Sequence, residues 1–318
     1  MTTILVTGGA GFIGSHLTNR LVAEGFEVHV LDNLSSGKAK NVPNGATLHI
    51  LDIRDADAVE KLFTDFPFNI MFHEAAQMSV IRSVDDPLTD IDVNIRGTVV
   101  LLEAGRKNGL TKVIAASSGG VIYGEPVHIP QREDNPLIPM SPYGIAKLAV
   151  ENYLRFYWEV YHIPYIALRY ANVYGPRQNP ESGAGVLAIF MEKILHGEQP
   201  VINGTGGKTR DYIHIDDVVE ANMRAMRYDG VGPINIGTGI ETSVNRVFQL
   251  VRDLCQIDVT EVHGEEQEGE QLRSVLDIRL AEKLLGWKPT ITLEKGLRDT
   301  IVWYINEAKN QGKPLIIN

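Results

Sequence analysis

The chain has 318 residues, 44% hydrophobic and 22% charged, with a formal net charge of -10 at pH 7. That length holds one large α/β unit plus a smaller lobe but not three ordinary domains, and the acidic balance argues against nucleic acid, which rewards clustered Lys and Arg. A single cysteine, Cys255, excludes an internal disulfide and a cysteine-based metal site, and with no apolar run near the ~18–20 residues of a membrane span and no leader pattern after Met1, a cytoplasmic protein without a membrane partner is expected.

Ile4–Thr7 reads as a strand and Phe12–Glu24 as a helix. Between them Thr7-Gly8-Gly9-Ala10-Gly11-Phe12-Ile13-Gly14 places glycines at Gly8, Gly11 and Gly14, a variant spacing of the dinucleotide fingerprint. Those glycines serve a tight turn, close approach of backbone to a pyrophosphate, and close packing of helix on strand. The helix start then offers free N–H groups and partial positive charge to the phosphates. A second strand, Glu27–Asp32, ends in an acid placed to accept hydrogen bonds from an adenosine ribose. An acid there repels a 2′-phosphate, so NAD is expected rather than NADP. A third strand, Thr47–Leu51, is followed by Asp52-Ile53, which could cap the adenine or, with Asp52 as N-cap, simply start a helix.

Further strands are expected at Ile70–His73, Lys112–Ala116 and Tyr165–Arg169, with helical patterns between them, and Pro164 marks the start of the last. Such alternation favours a doubly wound parallel sheet of Rossmann type. Ahead of that last strand, Tyr143-Gly144-Ile145-Ala146-Lys147 follows Ser141-Pro142 and starts a helical stretch, so that the phenol and the ammonium share one face. A phenol with pKa ~10 is a poor base near neutrality, but a nearby cation favours phenolate. Phenolate can take a proton from a sugar hydroxyl while hydride leaves for a nicotinamide.

From about Tyr174 the pattern changes. Gly175–Gly185 and Gly204–Gly207 are turn-rich, and helical periods return at Val186–His196, Asp216–Arg227, Val244–Leu254, Ile278–Leu285 and Leu293–Glu307. Gly264–Glu270 reads as a solvated acidic loop. The C-terminal third is therefore expected to form a smaller, interleaved substrate lobe, joined to the sheet domain through Tyr212–Ile215 and Pro233–Ile236. We divide the chain into 1–170 with 211–240 for the cofactor and 171–210 with 241–318 for the substrate. Cys255 sits on an apolar helix face as a structural thiol. The nine histidines show no HxxxH-type cluster, so no metal is expected.

These motifs resemble the extended short-chain dehydrogenase/reductase family, most closely its UDP-galactose/UDP-glucose 4-epimerases. The resemblance runs through TGGAGFIG at 7–14, Asp32-Asn33, HEAAQ at 73–77, Asn94 with Gly97-Thr98, SSGGVIYG at 117–124 and SPYGIAK at 141–147. It continues through RYANVYGPRQ at 169–178, RDYIHIDD at 210–217, NIGTG at 235–239 and LGW at 285–287. It implies tightly held NAD that oxidises sugar C4, turnover of a 4-keto sugar, and return of hydride to its other face.

Residue by residue, the resemblance makes Tyr143 the base and Lys147 the residue that lowers its pKa and holds the nicotinamide ribose. Gly8, Gly11, Phe12, Ile13, Gly14, Asp32, Asn33, Ser36, Gly37, Asp52, Ile53, Ala75, Ala76, Gln77 and Asn94 would line the NAD site with that pair. A UDP-sugar would meet Ser118, Tyr143, Asn172, Val186, Asn203, Arg210, Arg273 and Ser274. Asn172 and Arg210 would hold its diphosphate, arginine binding phosphate bidentately, unless Arg210 is a surface partner of Asp211 or Asp216. The family's catalytic hydroxyl, four residues before Tyr123, falls here on Gly119, leaving Ser118 or a bound water to replace it, and a serine restored at 119 is expected to be tolerated. Asn203 stands where many relatives stack an aromatic on the uracil, and Gln267 where they carry a diphosphate arginine, with Arg273 a replacement. Ser274 stands where strict glucose/galactose enzymes carry a bulky tyrosine, or else merely starts a strand.

Related dehydratases and decarboxylases carry acids just before VYG, where this chain has Gly120 and Val121. Neither can transfer a proton, which leaves 4-epimerisation of UDP-glucose and UDP-galactose, with room for N-acetyl sugars. The alternatives are a UDP-glucuronate 4-epimerase using Arg82 or Arg177 for the carboxylate, and a non-catalytic NAD-binding regulator. A homodimer is expected through the helices near Pro87–Lys107 and Ser141–Tyr161.

Overall fold

A computed structural model describes residues 2–180, 185–266 and 271–316. Parts of two expected loops, 181–184 and 267–270 with Gln267, Gly269 and Glu270, lie outside the described residues.

The first half alternates as its sequence pattern requires: β1 (Thr3–Thr7), α1 (Phe12–Ala23), β2 (Glu27–Asp32), β3 (Ala46–Ile50), α2 (Ala56–Asp65) and β4 (Ile70–His73). Then come two short helices, α3 (Val80–Asp85) and α4 (Pro87–Ile91), a π-helical turn (Asp92–Arg96), α5 (Gly97–Lys107), β5 (Lys112–Ser118), α6 (Pro142–Tyr161) and β6 (Tyr165–Tyr170). The second half holds β7 (Asn172–Tyr174), α7 (Val186–Leu195), β8 (Ile202–Asn203), β9 (Thr209–His214), α8 (Ile215–Arg227) and β10 (Gly232–Ile236). It ends with β11 (Glu241–Ser243), α9 (Val244–Cys255), β12 (His263–Gly264), α10 (Arg279–Leu285) and α11 (Leu293–Asn310).

Seven strands pair in parallel in the order β10-β6-β5-β4-β1-β2-β3. This is the expected doubly wound sheet, and its strand order reverses between β1 and β4. One face packs Leu17, Leu21, Val218 and Met223 of α1 and α8 over Ile4, Val6 and Ile166. The opposite face packs α2, α5 and α6 through Leu62, Leu101 and Leu154 against Leu5, Met71 and Val113. Strands buried on both faces need near-continuous apolar runs, which β1, β4 and β6 supply.

β9 does not join this sheet: it pairs with β7 and β11, while β10 returns to the large sheet beside β6. A third cluster, built from Phe190 and Ile194 of α7, Phe248 and Val251 of α9 and Leu297 and Ile301 of α11, packs on that small sheet through Tyr212. Cys255 closes it as a buried thiol, and burial pushes that thiol up to about 12. Trp287 locks this end onto α8 by donating to Asp217 O (3.0 Å), while the Asp217 carboxylate accepts the Thr290 and Ile291 amides (both 3.0 Å).

One boundary matters for the site. β5 runs two residues beyond the expected Ala116, because Ser117 and Ser118 keep register with Arg169 and Tyr170 of β6. No described helix is long and apolar enough to cross a membrane.

Candidate active site at the strand-order reversal

The glycine loop leaves β1 and opens α1 at the crevice between β1 and β4, where sheets of this kind take their ligands. A Cβ on Gly8 would lie 2.7 Å from Ala75 N, and one on Gly14 2.2 Å from Gly8 O, so neither tolerates a side chain. A Cβ on Gly11 meets only Gly8 O, at 3.1 Å. Gly11 caps α1 without a side-chain hydrogen bond, which leaves the first-turn amides free for an anion.

Asp32 has two tasks. Its carboxylate accepts Ala10 N (3.0 Å) and Leu34 N (2.8 Å), and so builds the loop before it could meet a ribose. A carboxylate has about four acceptor sites, so capacity remains for two hydroxyls. A Cβ on Gly37 would lie 2.9 Å from both Asp32 oxygens, which explains a glycine there. Asn33 Nδ2 donates to Asp52 (2.9 Å), and Ser36 is exposed at the rim. Asp52 is no helix cap. Asp55 fills that place by accepting Ala58 N (3.1 Å), while Asp52 accepts three donors of Arg54 at 2.9 Å, which hold its carboxyl below the usual carboxylate range. Ile53 is buried under Gly97. These residues form a cradle that fits a dinucleotide.

Ala75, Ala76 and Gln77 continue the far wall. Asn94, in the π-helical turn, accepts Gln77 N (2.9 Å) and donates to Gln77 O (3.0 Å), acting as a strand would for that segment. Behind it, Thr98 Oγ1 donates to Asn94 O (2.6 Å) and therefore accepts from His73 Nε2 (2.8 Å), so His73 Nδ1 takes the Thr7 hydroxyl proton (2.8 Å). Burial drops the His73 imidazole to about 3, and it stays neutral.

Tyr143 and Lys147 lie on the first turns of α6, which Ser141 caps by accepting Gly144 N (3.1 Å). A Cβ on Gly144 would stand 2.9 Å from Val121 O, so a glycine lets this helix approach the loop after β5. The ammonium is 5.7 Å from the Tyr143 ring centroid and donates to Ala116 O (2.8 Å). Burial lowers Lys147 to about 8 and raises the Tyr143 phenol above its ordinary value, with the charges of Asp90 and Glu74 adding to the rise.

The two serines of β5 part company. Ser117 is buried and donates to Glu151 Oε1 (2.5 Å), whereas the half-buried Ser118 hydroxyl has no hydrogen-bond partner among the described residues. A Cβ on Gly119 would run into Leu276, 2.6 Å from its Cδ1, so the expected easy tolerance of a serine there is corrected: Leu276 must move. A Cβ on Gly120 would instead make only ordinary contacts, 3.6 Å from Asn172 Oδ1 and 3.9 Å from Ser118 Oγ.

The uridine-side candidates scatter more. Arg210, half-buried, donates to Thr209 O (2.8 Å) and makes no ion pair with Asp211 or Asp216 among the described residues. Asp211 is instead spent on Thr238 N, Gly239 N and Leu276 N. Arg273 is exposed and paired with Glu241 (2.5 and 2.8 Å). Ser274 is buried, its amide donating to Thr209 O (3.2 Å). Val186 starts α7 half-buried, and Asn203 is exposed at the end of β8.

Two residues escaped the motif reading. Tyr212, two places after Arg210 on the same strand face, has a buried hydroxyl without a hydrogen-bond partner among the described residues. Strand alternation past Arg210 was a usable signal for it. Glu74, inside HEAAQ, gave none. Among the described residues no group of histidines, cysteines and acids could hold a metal.

The description "NAD dependent epimerase/dehydratase family" matches residues 4–237. A UDP-glucose 4-epimerase of Thermotoga maritima, solved with UDP-glucose, superposes with a TM-score of 0.95 at 45% identity, covering 96% of this chain and 99% of that one. The UDP-glucose 4-epimerase of Thermus thermophilus, solved with NAD, gives 0.89 at 40% over the same shares. A UDP-N-acetylglucosamine 4-epimerase of Methanobrevibacter ruminantium, in complex with UDP-N-acetylmuramic acid, gives 0.91 at 37%, again over 96% and 99%.

Proposed function

This chain belongs to the NAD-dependent epimerase/dehydratase family, and on that premise we propose that it interconverts UDP-glucose and UDP-galactose at C4 and also accepts the N-acetyl sugars. The observation that carries this reading is the contrast between an intact Tyr143–Lys147 pair (5.7 Å from Nζ to ring centroid) and a glycine, with no proton-transferring side chain, at Gly120 beside Ser118 and Asn172. The pair suits oxidation at C4. Gly120 and Val121 offer no acid or base for dehydration or decarboxylation.

Bound NAD supplies a reversible two-electron acceptor for the hydride of C4. Tyr143 takes the C4 hydroxyl proton as that hydride leaves, and returns it after the 4-keto sugar has turned over. Lys147 offsets the burial that holds the phenol above its ordinary value, by placing a cation beside it. Ser118, whose Oγ lies beside Gly120 together with Asn172 Oδ1, would reach the C4 oxygen. The amides of Phe12 and Ile13 would hold the pyrophosphate, the Gly11 amide being spent on Gly8 O (3.0 Å), and Asp32 the adenosine ribose. Arg210, Asn172 and the unpartnered Tyr212 hydroxyl serve the diphosphate, while Val186, Asn203, Arg273 and Ser274 border the uridine and sugar.

Support for the N-acetyl sugars comes from Ser274, a whole ring smaller than a tyrosine. The glucuronate reading gains nothing from its two arginines. Arg177 is spent on α1, donating to Ser15 (3.1 Å) and to Asn19 (2.7 and 2.9 Å), and Arg82 is exposed on α3. We further propose a homodimer through α3, α4 and α6. Val84, Leu88 and Ile91 are exposed there, and Tyr153 and Phe156 line an apolar groove on α6. Contiguous exposed apolar surface marks association.

The test is incubation of pure holoenzyme with UDP-galactose, UDP-N-acetylgalactosamine and UDP-glucuronate, with product sugars resolved by chromatography. Conversion of the first two without stoichiometric NADH is the expected result. Accumulation of free NADH and oxidised sugar would make the enzyme a dehydrogenase.

A further inference from the structure

Glu74 is the first residue past β4, at the crevice where strand order reverses. Its amide donates to Thr7 O (3.1 Å), which fixes the backbone across that crevice. Its side chain turns toward β6 and accepts the Tyr170 hydroxyl (3.1 Å). Tyr170 is held in turn by Asn222 of α8, whose Nδ2 donates to the same phenol oxygen (2.8 Å). The carboxylate is thus tied to β6 and, through Tyr170, to α8, in a half-buried residue at the end of β4.

The charges around it are few. Glu74 and Asp90 are the two carboxylates that act on Tyr143. Asp90 is sealed from solvent, with its Oδ1 accepting from the amides of Gln77 and Asn94 (both 2.9 Å) and its Oδ2 without a hydrogen-bond partner among the described residues. Glu151, which also acts on Lys147, is neutralised by Arg169. The cation acting on Glu74 is Lys147, which donates to Ala116 O rather than to the carboxylate. Burial lifts the Glu74 carboxyl to about 7, with Tyr170 and Lys147 pulling the other way. Above a pH of about 7 Glu74 is therefore a carboxylate whose charge acts on Tyr143 and which has no ion-pair partner of its own among the described residues.

A nicotinamide is cationic when oxidised and neutral when reduced. Whatever accepts hydride from the carbon whose hydroxyl Tyr143 deprotonates must stand beside Tyr143, within the field of Glu74. The C4 alcohol gives its proton to Tyr143 and its hydride, with two electrons, to that ring. A negative charge nearby stabilises the ring before the transfer and not after it. We propose that the Glu74 carboxylate biases bound NAD toward its oxidised form, so that hydride is handed back to the 4-keto sugar rather than retained. This rests on NAD and on Tyr143 as the base, not on which sugar is used.

The experiment equilibrates holoenzyme with mixtures of NAD and NADH at set ratios, without sugar, at a pH well above 7 where Glu74 is charged. Rapid gel filtration and the dihydronicotinamide absorbance then give the reduced fraction bound. Glu74→Gln, which keeps shape and loses charge, should move the competition toward NADH by about tenfold, equivalent to ~30 mV for a two-electron couple. Glu74→Asp, which keeps the charge, should retain most of the wild-type preference and shows that the position tolerates change. An unchanged NAD/NADH ratio in Glu74→Gln, or equal shifts in both variants, overturns the proposal. Because no sugar is present, failure to convert UDP-glucose leaves this result standing and counts only against the activity assigned above.

Discussion

Glu151 and Arg169 meet in the interior as a two-pronged ion pair, Nε to Oε1 at 2.9 Å and Nη2 to Oε2 at 2.7 Å, with Ser117 donating to Oε1 at 2.5 Å. Glu151 lies one turn beyond Lys147, which lies one turn beyond Tyr143, so the pair ties the Tyr143–Lys147 face of α6 to β5 and β6. Arg169 also donates to Tyr123 (2.8 Å), whose hydroxyl reaches Asn235 on β10 (2.7 Å). Removing one partner leaves the other charge buried. Arg169→Met should cost about 3–5 kcal/mol of stability, read from urea denaturation, and should lower kcat more than it raises KM. An unchanged urea midpoint would show that the pair is dispensable.

Tyr143→Phe should retain NAD and lower kcat by ~10²–10⁴-fold, measured with UDP-galactose. Lys147→Met should move the rising limb of kcat/KM to higher pH, since the phenol then loses its cation. The stability of cofactor-free protein carries a second sign. Burial depresses Lys147 in the folded chain from 10.5 to about 8, so between those values the unfolded chain binds the extra proton. Stability is therefore lost as pH falls from 10.5 through 8. Lys147→Met lacks this loss, and its urea midpoint relative to wild type should rise from pH 10.5 to pH 7.

Ser117 and Ser118 should separate cleanly. Ser118→Ala should cost up to ~3 kcal/mol of transition-state stabilisation, the scale of one lost donor to developing negative charge, with little change in melting temperature. Ser117→Ala removes a buried bond to Glu151 and should cost ~1–3 kcal/mol of stability instead. Small, equal effects on kcat would point to a water in the role of Ser118.

Gly119→Ser forces a Cβ against Leu276. It should destabilise by about 1–3 kcal/mol, as overpacking does, and Leu276→Ala in the same chain should relieve the strain. Full stability of the single variant would mean that Leu276 finds another rotamer at no cost.

Ser274→Tyr should abolish turnover of the acetamido sugar while leaving the glucose/galactose pair active, as judged by parallel assays. Equal losses on both substrates, or none, would remove Ser274 from the sugar pocket.

The sequence by itself determined the sheet and the dinucleotide loop, because both are written in short-range patterns. Apolar runs of four to seven residues specify strands buried on both faces. Gly8, Gly14 and Gly37 mark places where a Cβ meets backbone or a carboxylate at under 3 Å, so their identity could be read without coordinates. The four-residue spacing of Tyr143 and Lys147 likewise fixes a shared helix face. Tertiary structure alone decided what depends on side chains distant in the chain. That Gly119 points into Leu276, 157 positions away, while Gly120 opens toward Asn172, follows from how the 271–277 segment lies across β5. The pairing of Ser117 with Glu151, which frees Ser118, required β5 to run on in register with Arg169. The charge of Glu74 at the crevice is legible only once β4, β6 and α8 converge, because burial and the direction of a carboxylate are properties of its neighbours, not of its own segment.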